Sequence, residues 1–173
     1  LYCEECGKKW NLNEDGTLSA LDGVTEFSHV PDWYLWEKEE VRKEVLNPTV
    51  TLMEVEAPFV AKKSEPGQFI ILRVDDEGER IPLTIADYDR QKGTITIIFQ
   101  IVGASIFKLN TLNEGDFIHD FVGPLGVPTH TEGLKKVAVV GGGVGCAIAY
   151  PVAKKLHELG CEVHSIIGFR NKD

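Results

Sequence analysis

No run of apolar residues in this 173-residue chain approaches the ~18 that a membrane-spanning helix needs. No stretch has the basic, apolar and small-residue order of a secretory signal. Positive charge is also short. Eighteen Lys and Arg stand against 27 Asp and Glu, a net charge of −9, which argues against nucleic acid as the main partner, since phosphate recognition needs clustered cations. Cysteine is scarce, and Cys3, Cys6, Cys146 and Cys161 do not form a disulfide framework, so a reducing cytoplasm is the expected compartment. His119, His130, His157 and His164 show no metal-ligand spacing and read as structural or surface residues. What is present is ordinary for a globular protein, with 43% hydrophobic and 26% charged residues.

The chain is organised around residues 136–159. Val137, Ala138, Val139 and Val140 form a continuous apolar run, as expected of a strand covered on both faces. Gly141, Gly142 and Gly143 follow, with Gly145 close behind, and residues 144–159 then read as an amphipathic helix with Lys154, Lys155, His157 and Glu158 on its wet side. The free N–H groups and positive dipole end of such a helix face the glycine turn, where a phosphate would sit. Gly141-x-Gly143-x-x-Cys146 departs from the usual dinucleotide fingerprint at its last position. The plain alternative is that the glycines only let helix and strand pack closely. Cys146 falls in the apolar helix, where a free thiol is ordinary core.

Residues 1–45 differ in character and hold all three tryptophans, Trp10, Trp33 and Trp36. Cys3-Glu4-Glu5-Cys6-Gly7 has the spacing of a zinc knuckle, which makes Cys3 and Cys6 candidate zinc ligands with His29 as a third; the alternative is two unligated thiols. Asp15-Gly16 predicts a hairpin between residues 10–12 and 17–20. Pro31-Asp32 followed by residues 33–45 predicts a helix, with Trp33, Trp36 and Val41 on one face. Asn47-Pro48 then marks the expected boundary.

Beyond it the pattern switches to period two. Strands are predicted at residues 49–56, 68–74, 81–86, 94–102 and 117–122, with a short helix at 103–112. Pro82 marks an edge or an irregular backbone. Glu65-Pro66-Gly67, the charged stretch around Gly78, Gln91-Lys92-Gly93 and Asn113-Glu114-Gly115-Asp116 supply turns. Short strands at this spacing predict a small antiparallel Greek-key barrel at residues 46–134, followed by an α/β nucleotide-binding half at 135–173 and preceded by the partial zinc-ribbon-like segment and helix at 1–45. The chain starts at Leu1 and stops soon after a second strand at 162–168, and it reads as a fragment with a truncated nucleotide-binding half.

Four stretches in order carry a family likeness: Glu65-Pro66-Gly67-Gln68-Phe69, residues 78–87 around Arg80-Ile81-Pro82-Leu83-Thr84, Phe121-Val122-Gly123-Pro124-Leu125-Gly126, and the glycine turn. Residues 47–173 resemble the ferredoxin–NADP reductase superfamily, and within it the electron-transfer subunits of NADH-dependent ferredoxin:NADP oxidoreductase, sulfide dehydrogenase and dihydroorotate dehydrogenase. The resemblance implies a flavoprotein in which FAD sits in the barrel, exchanges a hydride with NAD(P)H and passes single electrons to an iron–sulfur centre. It implies as partners a larger flavin or iron–sulfur catalytic subunit and ferredoxin or a similar carrier, and a [2Fe–2S] cluster only in the full-length protein. Residues 1–45, with Phe27-Ser28-His29-Val30-Pro31-Asp32-Trp33-Tyr34-Leu35-Trp36-Glu37, resemble the zinc-ribbon tail of bacterial glycerolipid acyltransferases, although no acyltransferase catalytic motif is present.

The resemblance places Pro82-Leu83-Thr84 along the isoalloxazine, with Thr84 facing N5 as the one catalytic position. Arg80 suits the flavin pyrophosphate because its planar fork binds phosphate bidentately, although it stands one place earlier than the family motif puts it. Leu83 replaces the family's aromatic. Gly103 and Ser105 could hold the pyrophosphate from the other side, or simply cap the helix. Tyr88 could stack on a ring or lie exposed, and Gly123-Pro124-Leu125-Gly126 reads equally as a hinge or an interdomain turn. Arg170 stands where an adenosine ribose would lie and leans toward NADP over NAD; the alternative is an exposed surface Arg. The rival to a redox subunit is a non-catalytic nucleotide-binding module or a zinc-dependent assembly piece.

Overall fold

The computed structural model describes residues 10–12, 18–20 and 38–170, and the chain divides into two units, Leu1–Leu35 and Trp36–Asp173. In the first unit β1 (Trp10–Leu12) pairs antiparallel with β2 (Leu18–Ala20), Trp10 opposite Ala20, which are the arms of the predicted hairpin. The Asp15-Gly16 turn, Cys3, Cys6, His29 and residues 27–37 lie outside the described residues.

The second unit begins with a correction. Residues 38–45 are not helical: β3 (Lys38–Asn47) is a strand that pairs antiparallel with β4 (Val50–Glu56). The boundary expected at Asn47-Pro48 is the turn of this hairpin, held by the Asn47 Oδ1 that accepts the Thr49 N–H at 2.9 Å. Apolar spacing drew the helix prediction, but pairing with β4 holds these residues extended. Among the described residues β4 is the only strand beside β3 along residues 42–47, and Arg42 and Glu44 are exposed there, charges that guard against edge-to-edge pairing.

The barrel follows from period-two patterning. In β4, β5 (Phe69–Arg73) and β7 (Thr94–Gln100) alternate side chains point inward, and Met53, Val55, Ile70, Leu72, Ile95 and Ile97 are inaccessible to solvent. Strand β6 (Ile81–Asp89) lies between β7 and β5. The last segment closes the sheet. β8 (Phe117–Ile118) pairs with β3, and after His119 the chain continues as β9 (Asp120–Leu125), which pairs with β5. One segment therefore holds both edges of the seven-stranded order β8-β3-β4-β7-β6-β5-β9. At this seam Arg73 Nε donates to buried Asp120 Oδ2 at 2.7 Å.

Two helices plug the barrel. α1 (Pro58–Lys63) has no counterpart in the predicted elements; it is under two turns long, opens on Pro58 and buries Val60 and Ala61. α2 (Gly103–Leu109) is the predicted short helix. Its C-terminal end is tied to the sheet by the Lys43 ammonium, which donates to the Leu112 carbonyl at 2.7 Å, and by Thr51 Oγ1 donating to Asn110 Oδ1 at 2.7 Å.

Beyond the barrel, β10 (Lys136–Gly142) and β11 (Glu162–Gly168) form a parallel pair joined through a 3-10 turn at Gly143–Gly145 and α3 (Cys146–Glu158). The expectation that β10 is covered on both faces is not met within this chain. α3 buries Ala147, Pro151 and Leu156 on one side, while Val140, Ile166, Ile167 and Phe169 are exposed. α3 also leans on β6, so the β10–α3–β11 half and the barrel share a contact.

Acid sensitivity is expected from three carboxyls held below their ordinary pKa. Lys108 lowers Asp75, the Lys92 and Gln91 amides lower Asp89, and Lys136 with His164 lowers Glu162. A group with a lowered folded pKa contributes stability above its unfolded pKa and loses it as pH falls through the folded value. The thermal midpoint is therefore expected to hold from pH 7 to about 5 and fall below about pH 4. A scan of thermal midpoint against pH checks this, and a midpoint that rises below pH 4 contradicts it.

Candidate functional site

The site begins with a change of partner along β6. From Ile81 to Thr84 the strand pairs with β5, Thr84 opposite Phe69 and Pro82 opposite Ile71. From Ile85 to Asp89 it pairs with β7, with a register shift between Ile85 and Asp87. Residues 81–84 thus have a strand neighbour on one side only. Pro82 is tolerated inside a seven-stranded sheet because the strand is locally an edge there, as its sequence implied. The bared side runs along Pro82, Leu83 and Thr84. Leu83 and Thr84 are half-buried and Pro82 is exposed. The Thr84 hydroxyl has no hydrogen-bond partner among the described residues.

At the start of β6 lies a cavity of about 440 Å³, lined by residues of the 74–81 hairpin and by Ala104, Ser105 and Lys108 of α2. Arg80 sits between two lining residues, Glu79 and Ile81. It is exposed and has no ion-pair partner among the described residues. A guanidinium left uncommitted beside a cavity is available to an anion. α2 opens on Gly103 at φ +79° with no side-chain cap, and a Cβ there would meet nothing within 4 Å. Ser105 is not open in the same way: its Oγ donates to Glu79 Oε2 at 2.7 Å. Glu79 and Lys108, the latter paired with Asp75, are the site neighbours that sequence reasoning missed. Their signal was weak, since both read as surface charge.

The glycine turn divides by position. A Cβ on Gly141 would lie 3.1 Å from both Cα and Sγ of Cys146 and 3.3 Å from the Ala149 Cβ, so Gly141 serves the packing of α3 on β10. Gly143 takes φ +53°, and neither it nor Gly145 has anything within 4 Å of a Cβ position. Gly142 is extended, at φ −131°, and its nearest neighbour is the Gly168 carbonyl at 3.9 Å. The triplet is therefore not uniform: Gly141 packs, while Gly143 and Gly145 face open space and Gly142 has only the Gly168 carbonyl at 3.9 Å. Gly142 pairs with Gly168 at the carboxyl ends of the parallel strands, and exposed Arg170 follows at that same end. This is the crevice where open α/β sheets take ligands.

Other expected features resolve differently. Gly123-Pro124-Leu125 is not a free hinge but lies within or beside β9, with Leu125 opposite Phe69 and a cis peptide at Gly123-Pro124. Tyr88 is half-buried, and the Arg90 guanidinium lies 5.0 Å from its ring centroid, so its face is already engaged. Burial, with Glu65 nearby, raises the Tyr88 phenol pKa. Among the described residues no group of three His, Cys, Asp or Glu is arranged to hold a metal, and no helix is long and apolar enough to cross a membrane.

Comparison with known structures decides what this split strand and glycine turn belong to. The structure of an NADH-dependent reduced ferredoxin-NADP oxidoreductase, reported in work on flavin-based electron bifurcation, superposes with a TM-score of 0.76 and 41% identity, over 78% of this chain and 49% of that one. The chain has a ferredoxin–NADP reductase-like fold. Phthalate dioxygenase reductase, 20% identical with a TM-score of 0.66 over 78% of this chain and 44% of that one, shares this reductase-like fold. Among curated proteins, an uncharacterized protein from Clostridium beijerinckii is 54% identical over 140 residues, 77% of this chain and 47% of its own length. A homolog of the electron transfer subunit of dihydroorotate dehydrogenase B (NAD(+)) from Thermotoga maritima is 44% identical over 119 residues, 69% of this chain and 42% of its own length. The chain spans about half the length of the curated relatives it matches. No family model matches.

Proposed function

We propose that this chain is the flavin-binding part of an electron-transfer subunit, with FAD in the barrel and a nicotinamide dinucleotide at the glycine turn. The observation that carries the reading is the bared edge at residues 81–84, which ends at Thr84 and starts beside Arg80 and a cavity of about 440 Å³, with neither the Thr84 hydroxyl nor the Arg80 guanidinium bonded to any of the described residues. These residues fit a flavin dinucleotide: the unpaired strand edge leaves a side of β6 open to a flat ring, and the guanidinium suits a pyrophosphate. The likeness to the NADH-dependent oxidoreductase and the dihydroorotate dehydrogenase electron transfer subunits supports the same reading.

When bound, FAD supplies the hydride and single-electron chemistry, and no acid–base pair from the protein is needed. The chain's residues bind and orient. Arg80 holds the pyrophosphate, and the start of α2 at Gly103 offers backbone N–H groups from the other side. Ser105 joins them once its hydroxyl turns from Glu79. Pro82 and Leu83 cover the ring, and Thr84 hydrogen-bonds its reactive edge. Bare backbone at Gly142, Gly143 and Gly145 receives the nicotinamide dinucleotide's phosphates, and Arg170 stands where the adenosine ribose lies; the choice between NAD and NADP turns on it. An iron–sulfur centre on a partner subunit or a ferredoxin-type carrier would take the electrons onward. Zinc at Cys3 and Cys6 remains a proposal for the first unit, which metal analysis of the purified chain tests.

The test is visible absorbance. The purified chain, or the chain after incubation with FAD, is expected to carry flavin bands that bleach with NADH or NADPH. A chain that takes up no FAD overturns the assignment. Arg80→Ala is expected to weaken FAD binding about tenfold, the loss of one charge-assisted contact. Fluorescence titration with FAD reads this directly, and an unchanged Kd removes Arg80 from the pyrophosphate site.

A further inference from the structure

We propose that Asp87 and Lys154 form a strut that sets the angle of helix α3, and with it the glycine turn, against strand β6. The inference rests on the functional reading above and deepens it by naming positioning residues for hydride transfer.

The covalent link between the two halves runs through residues 126–136, which are nearly all exposed. Its first part is tied to the barrel, where Gln68 Nε2 donates to the Gly126 carbonyl at 2.9 Å and the Thr129 N–H donates to the Pro66 carbonyl at 2.8 Å. Contacts across the gap fix the orientation that these anchors leave open. The turn at Gly143–Gly145 comes beside β7, and α3 lies on β6. A contact near one end of a helix leaves it free to pivot; a second contact farther along fixes its direction. Lys154 Nζ supplies that second contact, donating to Asp87 Oδ1 at 2.9 Å and Oδ2 at 2.8 Å.

Both partners are held in place. Asp87 Oδ1 also accepts the Tyr88 N–H at 2.9 Å, which orients the carboxylate. The Lys154 ammonium lies 5.9 Å from the Tyr150 ring centroid on its own helix. Behind Asp87, Arg90 ties β6 to the end of α1 by donating to the Ser64 carbonyl at 2.7 Å and to Glu65 at 2.6 Å. Beside the ion pair is a cleft of about 140 Å³, which leaves α3 room to swing if the pair is broken.

The lever arms suit the role. Asp87 lies about 10 Å along β6 from Thr84. Lys154 lies about 13 Å along α3 from Gly145. A small tilt at the strut therefore shifts the dinucleotide turn relative to Thr84. A misplacement of about 1 Å can cost up to a hundredfold in rate. Stability is a poor explanation for the pair, because the side chains are 31% and 40% exposed and such pairs contribute little to folding.

The test uses Asp87→Asn, Lys154→Met and the exchange Asp87→Lys with Lys154→Asp. In the flavin-free chain, residual dipolar couplings of the barrel and α3 amides are expected to fit the wild-type relative orientation, to depart from it in both single variants, and to return toward it in the exchange. In the FAD-loaded chain, kcat for flavin reduction by NADH is expected to fall about tenfold or more in the single variants, with KM changed less than about twofold. The exchange is expected to restore most of kcat, and thermal midpoints to stay within about 4 °C. Couplings that keep the wild-type orientation in both single variants overturn the strut, whatever the flavin does. A fall in kcat matched by a fall in thermal midpoint, with no rescue by exchange, also overturns it. A wild-type chain that takes up no FAD sinks the functional reading instead, and the couplings still decide the strut.

Discussion

Gly141→Val is expected to lower the thermal midpoint by about 5–10 °C, while Gly142→Ala is expected to leave it unchanged or slightly higher. The contrast follows from what each new side chain meets. At Gly141 a Cβ enters the seam between β10 and α3, 3.1 Å from the Cys146 Cα and Sγ and 3.3 Å from the Ala149 Cβ. Two of those three atoms belong to Cα or Cβ positions that move only with the helix, so the clash is relieved by lifting α3. Overpacking of this kind costs about 1–3 kcal/mol. At Gly142 the backbone is already extended, at φ −131° and ψ 129°, and the nearest atom is 3.9 Å away. Alanine there removes unfolded-chain freedom without strain. Its methyl nevertheless stands in the space left for the dinucleotide, and KM for NADH is expected to rise about tenfold or more. Thermal scans and steady-state reduction of FAD separate the two effects. If Gly142→Ala binds and turns over NADH as wild type does, the open backbone is not a dinucleotide site. If Gly141→Val is as stable as wild type, the packing role is wrong.

These two glycines also show what a sequence can carry. The run Gly141-Gly142-Gly143 announces bare backbone between strand and helix, but packing and ligand approach place the same demand on composition. Only the position of Cys146 and Ala149 assigns Gly141 to one and leaves Gly142 for the other. Most barrel strands were legible because their inward residues alternate without interruption, as in β4 and β7. β3 was not, because the apolar spacing of Trp33, Trp36 and Val41 matches a helical face as well as it matches anything else. The competing signal was Asn47-Pro48-Thr49, which is a hairpin turn as readily as a boundary. α1 is six residues long, too short for periodicity to register. The closing segment was read as one strand at 117–122; His119 splits it because its two ends serve opposite edges of the sheet. Among the expected site residues, Ser105 lines the cavity at the start of β6, while Arg80 and Gly103 are chain neighbours of residues that line it. The engagement of Ser105 by Glu79, and of Asp87 by Lys154 at a separation of 67 residues, are properties of the closed barrel and of the helix laid on it. No local pattern encodes them.

Thr84→Val is expected to slow flavin reduction by NADH about tenfold to a hundredfold without loss of FAD. Valine keeps the β-branched shape, so pairing opposite Phe69 and the strand itself should persist. What disappears is the hydroxyl, which has no partner among the described residues and faces no competing acceptor there. A half-buried hydroxyl with no partner among the described residues is available to a ligand in place of solvent. In the proposed site it would hold the reactive edge of a bound flavin by a hydrogen bond. A hydrogen bond to a group gaining charge is worth about 1.5–3 kcal/mol, and about 1.4 kcal/mol corresponds to tenfold in rate. Thr84→Ser restores the donor and should recover most of the rate. Stopped-flow absorbance of the FAD-loaded variants gives the rate, and thermal scans confirm an intact fold. A Val variant that retains FAD and is reduced as fast as wild type would place the reactive edge elsewhere on β6.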